Sequence, residues 1–267
     1  MTAEGFRRFF LHICVLASGS SGNAIYVAEG NTAILVDAGL SGKKIEQRLS
    51  AIGADGASLS AIVVTHEHSD HVSGVGILAR RFGLPIYVNA GTFDSMKRLL
   101  KGKERVEVFE QGAAFSIGDL NIHPFSVSHD AADPSGFVMA NGASRVGIAT
   151  DLGCVTHLVR ERLRGADLVV LESNHDEKML RDGSYPWELK QRIRGRFGHL
   201  SNDDAASLVR ELAQLGLERG ILAHLSRDNN RPELARESVR AALREIGAVE
   251  FQLSIAEQDL VGEKIRI

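Results

Sequence analysis

The chain has 267 residues, 44% of them hydrophobic and 24% charged, with a formal net charge of −3. That composition suits a globular protein with a substantial core, and the charge argues against a general electrostatic grip on nucleic acid, leaving only a local basic patch. Two cysteines suggest no disulfide framework, and no apolar run approaches the roughly 18 residues of a membrane span.

At the start of the chain, Arg7-Arg8 ahead of Phe9-Phe10-Leu11 has the outline of a signal peptide. His12 interrupts that run, and cleavage would remove a strand the fold needs, so a cytoplasmic protein is expected. Strands are predicted over 13–17, 24–28 and 33–36. Ser18-Gly19-Ser20-Ser21-Gly22-Asn23 reads as a hairpin turn, since it lacks the Gly-Lys-Ser/Thr ending of a phosphate loop. A helix over 43–52 follows, and then the buried strand 61–64. Directly after it stands Thr65-His66-Glu67-His68-Ser69-Asp70-His71. In extended backbone, residues two apart point the same way, so His66 and His68 can converge on one ion. Past the strand, the chain can turn and offer Asp70 and His71 to a second. Imidazole with carboxylate suits zinc, manganese or iron better than magnesium or calcium.

Helices over 75–82 and 93–101 alternate with strands over 85–88 and 106–109. The strand 120–127 then leads to His129. Strands 136–139 and 144–149 lead to Asp151, and Cys154 nearby reads as a small core residue. A helix over 155–164 and a strand over 168–172 come next. The helix 202–214 has Ser201 or Asn202 as N-cap, with Asp203 and Asp204 suiting its first turn. Strand 220–223 leads to His224, and a helix over 232–246 and a strand over 249–253 close the pattern. His129, Asp151 and His224 each follow a predicted strand, where layered folds gather active-site groups. No linker-like stretch interrupts the alternation, so residues 1–267 read as a single domain.

The order His-x-His-x-Asp-His, then His, Asp and His, resembles the metallo-β-lactamase superfamily over most of the chain. The resemblance implies a four-layer αββα sandwich of the α/β (α+β) class and a centre of two divalent metal ions, zinc or manganese, with iron compatible. His66, His68 and His129 would hold the first ion, Asp70, His71 and His224 the second, and Asp151 would bridge them. A hydroxide bridging such ions can attack phosphorus or a carbonyl carbon. Asp37, in Val36-Asp37-Ala38-Gly39, matches a turn whose carboxylate supports the centre without binding metal.

Leu171-Glu172-Ser173-Asn174-His175-Asp176 and Gly198-His199-Leu200-Ser201-Asn202 narrow the likeness to the nuclease branch, specifically the YycJ/WalJ-like exonucleases. The resemblance makes His199 the group that protonates the leaving oxygen, with Glu172 orienting it. Asp70, His199 and Glu172 are thus the expected catalytic residues. Arg192, Arg194 and Arg196 lie in a basic run, and Arg227 and Asn230 follow His224. These five are the expected substrate contacts, with Tyr185, Trp187 and Phe197 near enough in sequence to stack on a base.

The expected activity is a metal-dependent phosphodiesterase or nuclease, foremost a DNA exonuclease, acting on nucleic acid (DNA in preference to RNA) or on a small phosphodiester, and not at a membrane. About seventy residues separate Asp151 from His224, too few for an inserted nuclease lobe. The alternative is a thioester, lactone or other acyl hydrolase on the same centre, which would need neither the His199 loop nor the arginine run.

Overall fold

The computed structural model describes residues 10–267, and the Arg7-Arg8 segment lies outside the described residues. The first half runs β1 (His12–Ala17), β2 (Ala24–Glu29), β3 (Thr32–Val36), α1 (Gly42–Ala51), β4 (Ala61–Val63), α2 (Ser69–Val72), α3 (Val75–Phe82), β5 (Ile86–Asn89), α4 (Ala90–Met96) and β6 (Val106–Phe109). The second runs β7 (Phe115–Ile117), β8 (Leu120–Ser126), β9 (Ser135–Ala140), β10 (Arg145–Ala149), α5 (His157–Leu163), β11 (Leu168–Glu172), α6 (Glu177–Asp182), α7 (Trp187–Arg194), α8 (Asn202–Gln214), β12 (Arg219–Ala223), α9 (Pro232–Glu245), β13 (Gln252–Ile255) and β14 (Ile265–Arg266).

These strands form two seven-stranded sheets, ordered β14-β1-β2-β3-β4-β5-β6 and β13-β12-β11-β10-β9-β8-β7. Each begins as an antiparallel meander and continues as parallel strands, from β3 onward in the first sheet and from β10 onward in the second. The inner parallel strands β3, β4, β10 and β11 are apolar on both faces, as strands covered on both sides must be. Ile34 and Val36 of β3 and Val146 and Ile148 of β10 meet in one core between the sheets. Their neighbours turn the other way. Leu35 packs outward with Ile45 of α1 and Leu78 of α3, and Val169 of β11 packs with Leu208 of α8 and Val239 of α9. Helix, sheet, sheet and helix therefore stack in four layers, the αββα sandwich that was expected. Phe125 and Phe137 are the largest fully buried side chains, and each contributes roughly 1.5–3 kcal/mol by leaving water.

Several short elements escape the sequence reading. α2, β7 and β14 carry too few residues to show a period, and α7 buries none of its side chains fully. The helix expected over 93–101 starts at Ala90, because the Asn89 side chain accepts from Thr92 N at 2.9 Å and caps it there. The last predicted strand is displaced to β13, since Val249 is 68% exposed in the turn before it. Ser201 is the N-cap of α8, its side chain accepting from Asp204 N. Among the described residues, no helix is long and apolar enough to cross a membrane.

Candidate metal centre

Every expected ligand lies just beyond the C-terminal end of a strand, at one edge of the sandwich. His66 follows β4, and His68 keeps extended backbone as the N-cap of α2. Asp70 and His71 then sit on α2 itself, so one short segment presents ligands from both strand-like and helical backbone. His129 follows β8, Asp151 follows β10 and His224 follows β12. Asp37, Asp151 and His224 adopt left-handed backbone, with φ of 60°, 53° and 55°, and among the described residues no other non-glycine does so. Such conformations cost on the order of 1–3 kcal/mol each and persist where surroundings enforce them, commonly at functional sites.

The side chains gather in two groups. His68 Nδ1 lies 3.1 Å from His66 Nε2 and 3.3 Å from His129 Nε2. Asp70 Oδ2 lies 3.5 Å from both His71 Nε2 and His224 Nε2. Asp151 stands between the groups, with Oδ2 3.2 Å from His71 Nε2 and Oδ1 3.8 Å from His129 Nε2. The structure thus brings all seven expected ligands together.

Hydrogen bonds behind the rings set which nitrogen faces inward. Asp37 Oδ2 accepts from His71 Nδ1 at 2.7 Å and from the Thr65 hydroxyl at 2.7 Å. Its proton so engaged, Thr65 Oγ1 accepts from His66 Nδ1 at 3.0 Å. The Gly198 carbonyl accepts from His129 Nδ1 at 3.0 Å, and Glu172 Oε1 from His224 Nδ1 at 2.9 Å. Carbonyls and carboxylates only accept, so these partners keep a proton on Nδ1 and turn Nε2 toward the centre, the atom that would bind a cation once any proton on it is released. His68 alone points Nδ1 inward.

That arrangement fits divalent cations. Among the described residues, buried Asp151 Oδ2 and His224 Nε2 have no hydrogen-bond partner, although an unsatisfied buried polar atom costs about 1–3 kcal/mol. Three imidazole nitrogens face one another in the first group, and a shared cation relieves the opposition of their lone pairs. The His and Asp clusters suit a dinuclear metal centre.

Electrostatics divides the histidines. Burial and the neighbouring His71 push His66 well below its ordinary value, outweighing the attraction of Asp151. Burial likewise lowers His129. For His71, burial opposes the charge, but Asp151 and Asp37 outweigh it and lift the pKa to about 10. His224 is raised in the same way by Asp151, Asp70 and Glu172. Burial disfavours charge on Asp151, yet His224 and His71 hold it well below the carboxylate range.

Glu172 is fully buried, and its four bonds explain how it stays ionised. Oε1 accepts from His199 Nδ1 at 2.8 Å and from His224 Nδ1 at 2.9 Å. Oε2 accepts backbone N–H from Leu152 at 2.8 Å and Leu200 at 3.0 Å. Burial opposes ionisation, but His199 and His224 lower the pKa below its ordinary value. In return, Glu172 raises His199 against its burial. With its side chain 23% exposed, His199 lines a cleft of about 190 Å³ together with Arg192, Asp130, Tyr185 and Ser20. Its loop is pinned to the ligand loops, since Ser128 Oγ donates to the Arg196 carbonyl at 2.8 Å. Gly153 permits that approach, because a Cβ there would meet Arg196 O at 2.4 Å.

The expected substrate contacts separate. Arg192 faces the cleft, its Nη2 2.6 Å from Asp130 Oδ2. Arg194 instead pairs with Glu177 at 3.3 Å, and Arg196 meets the site through its carbonyl. Arg227 pairs with Asp259 at 2.9 Å and borders a different pocket. Asn230 is a correction to the expectation. It is buried, and its amide is committed to Ser173 O, Asn174 O and Asn202, so its role is to tie loops together. Tyr185 donates to Asp228 at 2.7 Å, while Trp187 and Phe197 are exposed. Cys154 is only half-buried, against the expectation of a core residue. Sequence reasoning missed Thr65, Asn23 and Asp130, whose types and spacing carry no signal before folding.

Comparisons with known proteins identify the family. Residues 32–225 match the model of the beta-lactamase superfamily domain. The chain is 43% identical to exodeoxyribonuclease YycJ of Bacillus anthracis over 239 residues, covering 89% of this chain and 90% of that protein. It is also 43% identical to exodeoxyribonuclease WalJ of Streptococcus pneumoniae over 226 residues, covering 83% and 84%. Among solved structures, the metallo-beta-lactamase fold protein YhfI of Bacillus subtilis superposes with a TM-score of 0.76 at 17% identity, over 97% of this chain and 100% of that one. The chain belongs to the beta-lactamase superfamily and, within it, to the family of YycJ and WalJ.

Proposed function

We propose that the protein is a metal-dependent DNA exonuclease of the cytoplasm, its described residues 10–267 forming one domain. The observation that carries this reading is the double grip of Glu172, whose Oε1 holds both the expected ligand His224 and the non-ligand His199. A proton donor tied to the metal centre in this way suits cleavage of a phosphodiester, which expels a poorly leaving alkoxide. The likeness to proteins named exodeoxyribonucleases supports DNA as the polymer.

His66, His68 and His129 would hold one ion, Asp70, His71 and His224 the other, with Asp151 between. We assign zinc or manganese, with iron compatible with the same ligands. When bound, the two cations supply Lewis acidity, which lowers the pKa of a water toward neutrality and offsets charge on the attacked phosphate. Around them the chain's own residues direct the reaction. Glu172 accepts a hydrogen bond from His199 Nδ1–H and favours the imidazolium, so Nε2 can give its proton to the departing oxygen in the cleft. Arg192, steadied by Asp130, offers positive charge to a phosphate on the same cleft wall.

The test is degradation of end-labelled single- and double-stranded DNA and RNA by chelator-stripped protein, before and after adding zinc or manganese. Release of mononucleotides from DNA only after metal addition is expected. DNA left intact under both metals would refute the assignment.

A further inference from the structure

The turn over residues 18–23 joins β1 to β2, and the reaction above gives it no task. It nevertheless closes on the second ligand group. Asn23 donates its backbone N–H to the Asp70 carbonyl at 2.7 Å. Its side-chain Nδ2 lies 3.3 Å from that carbonyl, 3.3 Å from Asp70 Oδ2 and 3.0 Å from His71 Nε2. Gly19 sets the direction of the amide, since its N–H donates to Asn23 Oδ1 at 2.8 Å and its carbonyl accepts from Nδ2 at 3.1 Å. A flipped amide would turn oxygen toward the Asp70 carboxylate and N–H toward the Gly19 N–H, losing both sets of bonds. The close approach depends on Gly39, where a Cβ would lie 1.6 Å from Asp70 O and 2.7 Å from Asn23 N. Ser18 Oγ also accepts from His224 N at 2.7 Å. One turn therefore touches Asp70, His71 and His224.

We propose that Asn23 is a positioning residue for the second ion. Its amide nitrogen has no lone pair to offer a cation, so it acts through its neighbours. The side-chain Nδ2, 3.3 Å from Asp70 Oδ2, holds the carboxylate, whose side chain is 21% exposed, in line with the inward nitrogens of His71 and His224, while the backbone N–H fixes the Asp70 main chain. The inference rests on the two-ion reading and deepens it.

The test is titration of cobalt(II) into chelator-stripped protein, following calorimetry and the visible absorption of each equivalent. Wild type is expected to take two ions. Asn23→Ala should keep the first and bind the second about 10–100-fold more weakly, the range seen when a group supporting a metal ligand is lost, with an altered spectrum for the second equivalent. Asn23→Leu, closer in volume, should do the same, and guards against a variant that fails through a cavity. Gln258→Ala is the control. Gln258 holds the same turn, accepting from Ser21 N at 2.8 Å and donating to Gly22 O at 2.8 Å, without touching Asp70. It should bind both ions as wild type does. Second-ion affinity unchanged in both Asn23 variants, or reduced equally by Gln258→Ala, would overturn the proposal while leaving the two-ion centre standing. A wild type that takes fewer than two ions would remove both.

Discussion

The two halves of the molecule support their metal-facing histidines by the same device and put it to different use. In the first half, Asp37 stands behind His71 directly and behind His66 through the Thr65 hydroxyl, so one carboxylate fixes a ligand of each group. In the second half, Glu172 stands behind His224 and His199, a ligand and a group that faces the cleft. The first arrangement only holds metal. The second, on the proposed reading, joins metal holding to proton delivery. A buried carboxylate is defined by what it holds, and both of these hold two histidines.

Removing a ligand should break both halves together. His68→Ala is expected to abolish metal-restored hydrolysis, a loss well beyond the roughly 10–100-fold of an outer partner, while a thermal melt shows the fold retained. Wild-type rates in that variant would contradict the ligand set. Next in size, His199→Ala should slow DNA cleavage on the order of 10²–10⁴-fold, the usual worth of general acid catalysis, and barely change turnover of an activated aryl phosphodiester. Equal losses on the two substrates would make His199 structural.

Asp37→Asn and Glu172→Gln should each weaken metal binding by roughly 10–100-fold in calorimetric titration. If only one does, the symmetry of the two supports is wrong. Chelation should lower the melting temperature of the wild type by roughly 5 °C or more, since ligand at about 100 times its Kd adds about 2.7 kcal/mol. No shift would mean that the unpartnered Asp151 Oδ2 and His224 Nε2 do not await a cation. The smallest effect belongs to the cleft wall. Arg192→Gln should raise KM for DNA a few-fold and reduce the salt slope of binding by about one, whereas Arg194→Gln, whose partner is Glu177, should change little.

The same contrast explains what the sequence made legible. The first half writes four ligands within one segment, His66 to His71, after an apolar strand, and neither spacing nor strand is easily mistaken. In the second half His129, Asp151 and His224 are isolated residues, each marked only by following a predicted strand, and the family likeness was needed to join them. The alternation of Ile34, Leu35 and Val36 between two cores was readable as a strand covered on both faces. The supporting contacts were not readable, because Asn23 meets Asp70 across 47 residues and Glu172 meets His224 across 52. The arginine run was only partly legible for a related reason. Charge alone does not say which side chains of the run line the cleft, as Arg192 does, and which pair away from it, as Arg194 does with Glu177.

The most direct test of the Glu172 linkage is a pair of rates at saturating metal, DNA cleavage and aryl phosphodiester turnover, in Asp37→Asn and Glu172→Gln. Excess metal should restore Asp37→Asn toward wild type on both substrates. It should restore Glu172→Gln on the aryl substrate only, leaving DNA cleavage slow because His199 has lost the carboxylate that favours its charge. Recovery of DNA cleavage by both variants to the same extent would contradict the claim that this carboxylate couples the metal centre to the acid.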